Sequence, residues 1–367
     1  MKLVYLANIR FPSERAHAAQ IAHMCQAFVQ NGVRVDLFVS TRKVQGDGSV
    51  EDYVGFTPSF SIHRVWTPSR VDFGSVFFLF TTLVFCLGCV RRVLRGEYDV
   101  VFTRDEWAAW FFSFFVASEK LVWESHEAKY NIAARSILRK GIKTVVISEG
   151  IRNTYAARGV AVEQMLVAHD GIDESFFGKV ETKQEARAQL DLPQDKKIVM
   201  YIGGFDGWKG VETFFGASER ARDILFVAIG GSEEEIASYK ERYPRVRFLG
   251  RRPYRELKDN QQAADVLVIP NTAQSELSAR FTSPLKLFAH MASGVPIVAS
   301  DVPSIRAVLD DESGYFFEPD GAESLAERLT AVCENTDKAL KKARELQEKT
   351  LQYTWSNRAD VIIYFIS

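Results

Sequence analysis

The feature that most constrains this chain is the β-α-β pattern with which it opens. Lys2–Ala7 is a short apolar run, Ala16–Gln30 has helix length and ends at Asn31-Gly32, and Val33–Val39 is a second apolar run. Two such strands joined through a helix form a parallel pair, which predicts a doubly wound sheet with ligands beyond the carboxyl ends of its strands. The same alternation continues through Asp99–Thr103, Leu121–Glu124, Thr144–Ser148 and Met165–His169. It resumes, after a polar linker over 178–197 with one short helix, at the strand starting with Lys197, Leu225–Ile229, Val246–Leu249, Ala264–Ile269 and Val295–Ser300. A chain of 367 residues exceeds one typical open sheet, so two domains are expected, 1–177 and 178–353.

The net charge is −1, and up to residue 175 there are twenty Lys/Arg against eighteen Asp/Glu. Neither the whole nor its halves carries the electrostatic footprint of a nucleic-acid binder. Met1 leads directly into the first strand, so no cleavable leader is expected. Cys25, Cys86, Cys89 and Cys333 are few for this length and point to a reducing, cytoplasmic setting. Cys86-x2-Cys89 lies in an apolar run with no second pair or nearby His, and reads as buried thiols rather than a zinc site.

Val76–Val90 is the most apolar run, followed by Arg91, Arg92 and Arg95. It falls short of the roughly twenty residues that span a bilayer. Two readings stand: a helix buried in the first domain, or a peripheral membrane contact through 76–95 with arginines on anionic headgroups. The aromatic-rich segment Trp107–Ala117 suits the second.

The chemistry-bearing residues gather where strands end. After the first strand, the loop NIRFPSERAHAAQ lacks GxGxxG, which speaks against a dinucleotide-binding dehydrogenase. Polar clusters follow three later strands: Thr103-Arg104-Asp105, Glu124-Ser125-His126-Glu127 and Ser148-Glu149. In the second half, a strand runs into Gly203-Gly204 and Lys209-Gly210 before a helix. Small residues there admit a phosphate to backbone amides, and lysine adds charge. Phe281–Asp301 (FTSPLKLFAHMASGVPIVASD) reads as a helix capped by Ser283 with Pro284 at its first position. Pro284, Leu287, Phe288 and Met291 form the packing stripe, with Thr282, Lys286, His290 and Ser293 on the other side. Gly294 ends the helix, and the strand Val295–Ser300 follows.

This stretch resembles the donor-site segment of family 4 glycosyltransferases, retaining enzymes of the GT-B fold, in the version written roughly SPLKLFEYMASGxPIVASD. Four more resemblances run in the family's order. The first is the Pro12, Arg15, Ala16, Gln20 loop, followed by the T-R-D, E-x-H and S-E segments. Asp170-Gly171-Ile172-Asp173 matches the turn by which the family's chain leaves its first domain, and Tyr353-Thr354-Trp355-Ser356 its closing turn. The implied fold is α/β: two Rossmann-like doubly wound parallel-sheet domains facing a central cleft, with a C-terminal helix, 354–367, packing back on the first domain.

The resemblance also implies roles. His126 and Lys209 become the catalytic candidates. Gly203, Gly204, Lys209, Arg251, Thr282, Ser283, Pro284, Leu285 and Lys286 become the donor-binding set, and Arg15, Arg104, Asp105, Ser148, Asp170 and Gly171 the acceptor side. The partners implied are a nucleotide-sugar donor and a glycan or lipid-linked acceptor. No D-x-D appears, and no metal or cofactor is expected. Three positions depart from the family pattern: Phe281 and Ala289 stand where many members have glutamates, and Gly204 where they have arginine. A non-catalytic scaffold in glycan assembly is therefore the runner-up, with a GT-B epimerase or phosphorylase third.

Overall fold

A computed structural model describes residues 1–13, 16–42, 49–68 and 74–367. Its strands form two sheets. The first runs β1 (Lys2–Ala7), β2 (Arg34–Ser40), β3 (Ser61–Val65), β4 (Val100–Thr103), β5 (Leu121–Ser125), β6 (Lys143–Val146) and β7 (Met165–Val167). The second runs β8 (Lys197–Ile202), β9 (Ile224–Ile229), β10 (Val246–Phe248), β11 (Val266–Ile269), β12 (Ile297–Ser300) and β13 (Tyr315–Phe317). Their spatial orders are β3-β2-β1-β4-β5-β6-β7 and β10-β9-β8-β11-β12-β13. Every strand pairing described is parallel. The order therefore reverses beside β1 in one sheet and beside β8 in the other. Such switch points open a crevice beyond the strand ends.

Burial on both faces makes the central strands nearly continuous apolar runs: Leu3, Val4, Tyr5 and Leu6 are fully buried, as are Ile198, Val199, Met200 and Tyr201. The edge strands β3 and β13 break that rule. In SIHRV only Val65 is buried, and YFF is three residues long, so neither gives the apolar signal from which the other strands were expected.

The chain divides into two compact units, Met1–Asp170 with Trp355–Ser367, and Gly171–Thr354. The observed boundary precedes the expected one at 177/178, because Ile172 and Phe176 pack with Leu287, Phe288 and Met291 of the second unit. The expected linker over 178–197 is also part of that unit. Its helix, Lys183–Gln189, is capped by Thr182 and buries Ala186, with Leu190 and Leu192, against Ile198 and Met200. Arg187 ties it to the Asp265 carboxylate at 2.8 Å. In the first unit the C-terminal helix Trp355–Ile366 lies against the helix Ala16–Gln30, and Asn31 Nδ2 donates to the Ser356 carbonyl at 2.8 Å.

The apolar run after residue 75 is longer than its sequence suggested: the helix is Gly74–Arg95, of 22 residues. Thr81, Thr82, Phe85, Cys86, Cys89 and Val93 are buried at helical spacing, whereas Phe78, Leu79, Phe80, Leu83, Leu87 and Leu94 are exposed. The buried-helix reading thus holds for one face and fails for the other. All four cysteines are buried free thiols. Among the described residues no three of His, Cys, Asp or Glu gather as a metal-ligand set.

Candidate functional site

In the second unit the turn after β8 builds a cradle from glycine and lysine. Gly203 has φ +153° and Gly210 +68°, and a Cβ on Gly210 would stand 1.8 Å from the Pro270 carbonyl oxygen. Only glycine permits this approach of the β8 turn to the end of β11, the neighbour of β8 at the switch point. A Cβ on Gly230 would likewise strike the Gly203 carbonyl oxygen at 1.9 Å. Three strand ends are thereby drawn together with little side chain between them.

Into that space come two ammonium groups. Lys209 Nζ donates to Asp206 Oδ2 at 2.6 Å. Lys286, from the first turn of the helix Leu285–Ala292, lies over the Tyr201 ring at 4.5 Å and donates to its hydroxyl at 3.4 Å. The Tyr201 hydroxyl donates in turn to the Gly204 carbonyl at 2.7 Å. Burial, and then the like charge of Lys209, push the Lys286 ammonium down to about 7. Two cations with one carboxylate between them leave an excess of positive charge at a helix N-terminus, which suits an anion.

At Gly204 a Cβ would stand 2.8 Å from Lys209 Nζ and 2.9 Å from Asp206 Oδ2, so this ion pair closes over the turn. Ala289 packs against the cluster of Phe288, Met291 and Ile172.

Some details of Phe281–Asp301 differ from expectation. The helix starts at Leu285, with Pro284 at its N-cap and no side-chain capping bond, so Ser283 is not the cap. The residue at that position is preset by proline, and Thr282 and Ser283, both buried, shape the approach. His290, expected on the outer side with Lys286, is buried beside Gln261, its Nδ1 3.0 Å from Oε1. Burial and the neighbouring Lys286 hold it down at about 3. Arg251 is exposed on the loop after β10 and donates to the Gly231 carbonyl at 3.3 Å.

In the first unit two of the three predicted polar clusters, through Arg104 and through Glu124 with His126, meet in one hydrogen-bond network. Arg104 Nη1 donates to Gln20 Oε1 at 2.6 Å, and Gln20 Nε2 to Glu124 Oε1 at 2.9 Å. His126 Nε2 and Arg358 Nη1 reach the same carboxylate. Arg358 comes from the C-terminal helix and also donates to the His169 carbonyl at 2.8 Å and the Ala168 carbonyl at 3.2 Å. Burial alone would raise the Glu124 carboxyl, but Arg358, with His126 and Arg104, holds it well below the usual range. Burial and the charge of Arg104 push His126 down to about 4, so its ring is neutral near pH 7. A carboxylate only accepts, so the ring proton sits on Nε2 and Nδ1 is left as an acceptor.

Two of the other acceptor-side candidates cap helices. Asp105 is the N-cap of the helix Glu106–Phe112, accepting from the Trp107 amide at 2.8 Å and the Ala108 amide at 3.2 Å. Burial raises it to about 6. Ser148 caps Glu149–Ala156. Asp170 is buried near Arg358, and burial raises it to about 6. Gly171, in the turn that follows, is not among the residues with positive φ. Arg15 lies outside the described residues.

Tyr201, Asp206 and Arg358 did not stand out in the sequence as site residues, and Glu124 did so only as a member of its polar cluster. Glu124 had a signal in its E-x-H spacing, and Asp206 in its position three residues before Lys209. Arg358 had none, because its partners are about 190 and 234 residues away along the chain.

Known proteins give a consistent picture of the fold. Residues 196–335 match the family model described as Glycosyl transferases group 1. A glycosyltransferase of Bacillus subtilis (strain 168), named for teichuronic acid biosynthesis, is 26% identical over 194 residues, 52% of this chain and 47% of that protein. The chain spans about half the length of the curated relatives it matches. Sucrose-phosphate synthase of Thermosynechococcus elongatus superposes with a TM-score of 0.78 at 19% identity, over 99% of this chain and 97% of that one. Anabaena HepE in complex with UDP and glucose superposes with a TM-score of 0.73 at 18% identity, over 99% and 98%. The chain therefore has the GT-B fold of two parallel-sheet Rossmann-like domains, and its second unit carries the segment that matches Glycosyl transferases group 1.

Proposed function

We propose that the chain is a retaining glycosyltransferase that moves a hexosyl group from a nucleoside-diphosphate sugar to a glycan, lipid-linked or polysaccharide acceptor, in the cytoplasm. The observation that carries this is the pair Lys209 and Lys286 converging beside the glycine turn of β8, in the segment that matches the family model. Breaking the anomeric bond leaves negative charge on the departing diphosphate, and preorganised cations and amides stabilise it as it develops. Lys209, Lys286 and the amides around Thr282, Ser283 and Leu285 hold the diphosphate. Gly203 and Gly204 let it approach the backbone, and Arg251 lies beside the nucleoside. These cations supply the charge that a metal supplies elsewhere, so the reading requires no cofactor.

Retention follows when the acceptor attacks the face that the diphosphate leaves, with a phosphate oxygen taking the acceptor proton. His126, neutral and protonated on Nε2, offers its Nδ1 lone pair to a hydroxyl of the transferred sugar. UDP and glucose bound to Anabaena HepE support a uridine nucleotide and a hexose as the first candidates. The Bacillus relative named for teichuronic acid biosynthesis supports a cell-surface polysaccharide as the acceptor class.

The test is incubation with UDP-, GDP- and ADP-sugars, followed by phosphorus NMR for released nucleoside diphosphate and proton NMR for the anomeric configuration of the product. The expected result is release from one donor with the anomeric configuration kept, abolished in Lys209→Ala. Binding of a nucleotide without release from any donor, with or without a glycan acceptor, favours the scaffold role.

A further inference from the structure

We infer that the outer face of the helix Gly74–Arg95 docks the protein on an anionic lipid surface without crossing it. The face is apolar where a helix on a water-facing surface carries polar side chains. Leu79, Phe80, Leu83, Leu87 and Leu94 are exposed and fall within one side at 3.6 residues per turn. At its end Arg91, Arg92 and Arg95 are exposed, and no acidic residue lies anywhere in the helix. Apolar side chains flanked by arginines match a bilayer interface, where acyl chains meet anionic headgroups.

The surroundings extend the match. A Cβ on Gly88 would stand 2.5 Å from Val65 Cγ1, so the end of β3 packs on the helix, and the next residue, Trp66, is 70% exposed. The helix Glu106–Phe112 packs alongside, and Phe114 and Phe115 just beyond it are exposed. Lys140 Nζ sits 4.0 Å from the Phe114 ring centroid. Aromatic side chains with cations beside them are the composition of a membrane interface.

By length and apolar composition the helix is long enough to span a membrane. Its inner face forbids that arrangement. Phe85, Cys86, Cys89 and Val93 are buried in the first unit, and Thr82 Oγ1 accepts from Asn8 Nδ2 at 3.0 Å. Crossing the bilayer would strip those contacts, whereas lying in the interface keeps them. The inference is independent of which sugar the chain transfers.

The test is flotation of the full chain with vesicles of phosphatidylcholine alone, or with about a third phosphatidylglycerol, at low and high salt. The expected result is flotation with the anionic vesicles only, weakened by salt. Leu83→Glu/Leu87→Glu should abolish it. Arg91→Gln/Arg92→Gln/Arg95→Gln should cut partitioning about a hundredfold, at about fivefold per arginine. Both variants change exposed residues, so unaltered circular dichroism and melting are expected and serve as the folding check. A wild-type chain that stays at the bottom with every vesicle overturns the inference. So does one whose helix face is covered by a second copy, seen as a dimer by light scattering that Leu83→Glu/Leu87→Glu turns into monomer.

Discussion

Replacing Arg358 by alanine is the sharpest perturbation of the first unit. Its side chain is 3% exposed and that of Glu124 is fully buried. Alanine would leave a buried carboxylate with Gln20 and His126 as its hydrogen-bond partners among the described residues, and would release the carbonyls of Ala168 and His169. Removing one partner of a buried pair costs roughly 3–5 kcal/mol, far more than an exposed salt bridge. Against a total stability of about 5–15 kcal/mol, that is a large fraction.

The sign with pH follows from Glu124, whose carboxyl is depressed in the folded protein. A depressed carboxyl contributes stability above its unfolded value of about 4.3, and the contribution is lost as pH falls through the folded value. In Arg358→Ala the main cation is gone, burial dominates, and the carboxyl rises. The deficit of the variant should therefore be largest near pH 7 and shrink toward pH 4, where the stranded carboxylate takes a proton. Urea unfolding followed by tryptophan fluorescence at both pH values measures this, since Trp123 and Trp355 both lie in the first unit. The double variant Glu124→Gln/Arg358→Met, which removes both charges, should recover much of the loss. A deficit below about 1 kcal/mol at pH 7, or one that does not change with pH, would refute the reasoning.

Three further outcomes are expected. Gly210→Ala should destabilise the second unit by roughly 2–6 kcal/mol, from a strained φ and a backbone clash with Pro270, seen as a lower urea midpoint. Lys286→Met should weaken nucleoside-diphosphate affinity by about 10–150-fold, the loss of a charge-assisted contact of roughly 1.5–3 kcal/mol. Because Lys286 loses its proton from about 7 upward in the free protein, wild-type affinity should fall between pH 7 and 9, and that slope should be absent in Lys286→Met. Nitrogen NMR of the histidines should place the His126 ring proton on Nε2 in the wild type and admit the Nδ1 form in Glu124→Gln, whose amide can also donate; a wild-type ring protonated on Nδ1 would contradict the network.

The central strands were legible in the sequence because burial on both faces forces continuous apolar runs such as LVYLA and IVMYI. β3 and β13 were not, because an edge strand needs no such run. Lys209 and Lys286 could be found from local motifs, since a phosphate cradle is built from a few residues around one turn and one helix start. The contact of Lys286 with the Tyr201 ring could not, because β8 lies far from that helix in sequence. Asp105 and Ser148 sat at strand ends like binding residues, yet helix starts need the same polar side chains as caps. A sequence pattern cannot separate the two uses. His290 shows a related limit: helical spacing placed it with Lys286, but a neighbouring Gln261 made burial affordable there.

The most direct measurement of the central claim is calorimetric titration of the folded chain with UDP, GDP, ADP and CMP. The account predicts that one nucleoside diphosphate binds, that CMP does not compete with it, and that Lys209→Ala and Lys286→Met each weaken it at least about tenfold. If none of the four binds, or if the binding survives both substitutions, the cradle beside β8 is not a diphosphate site.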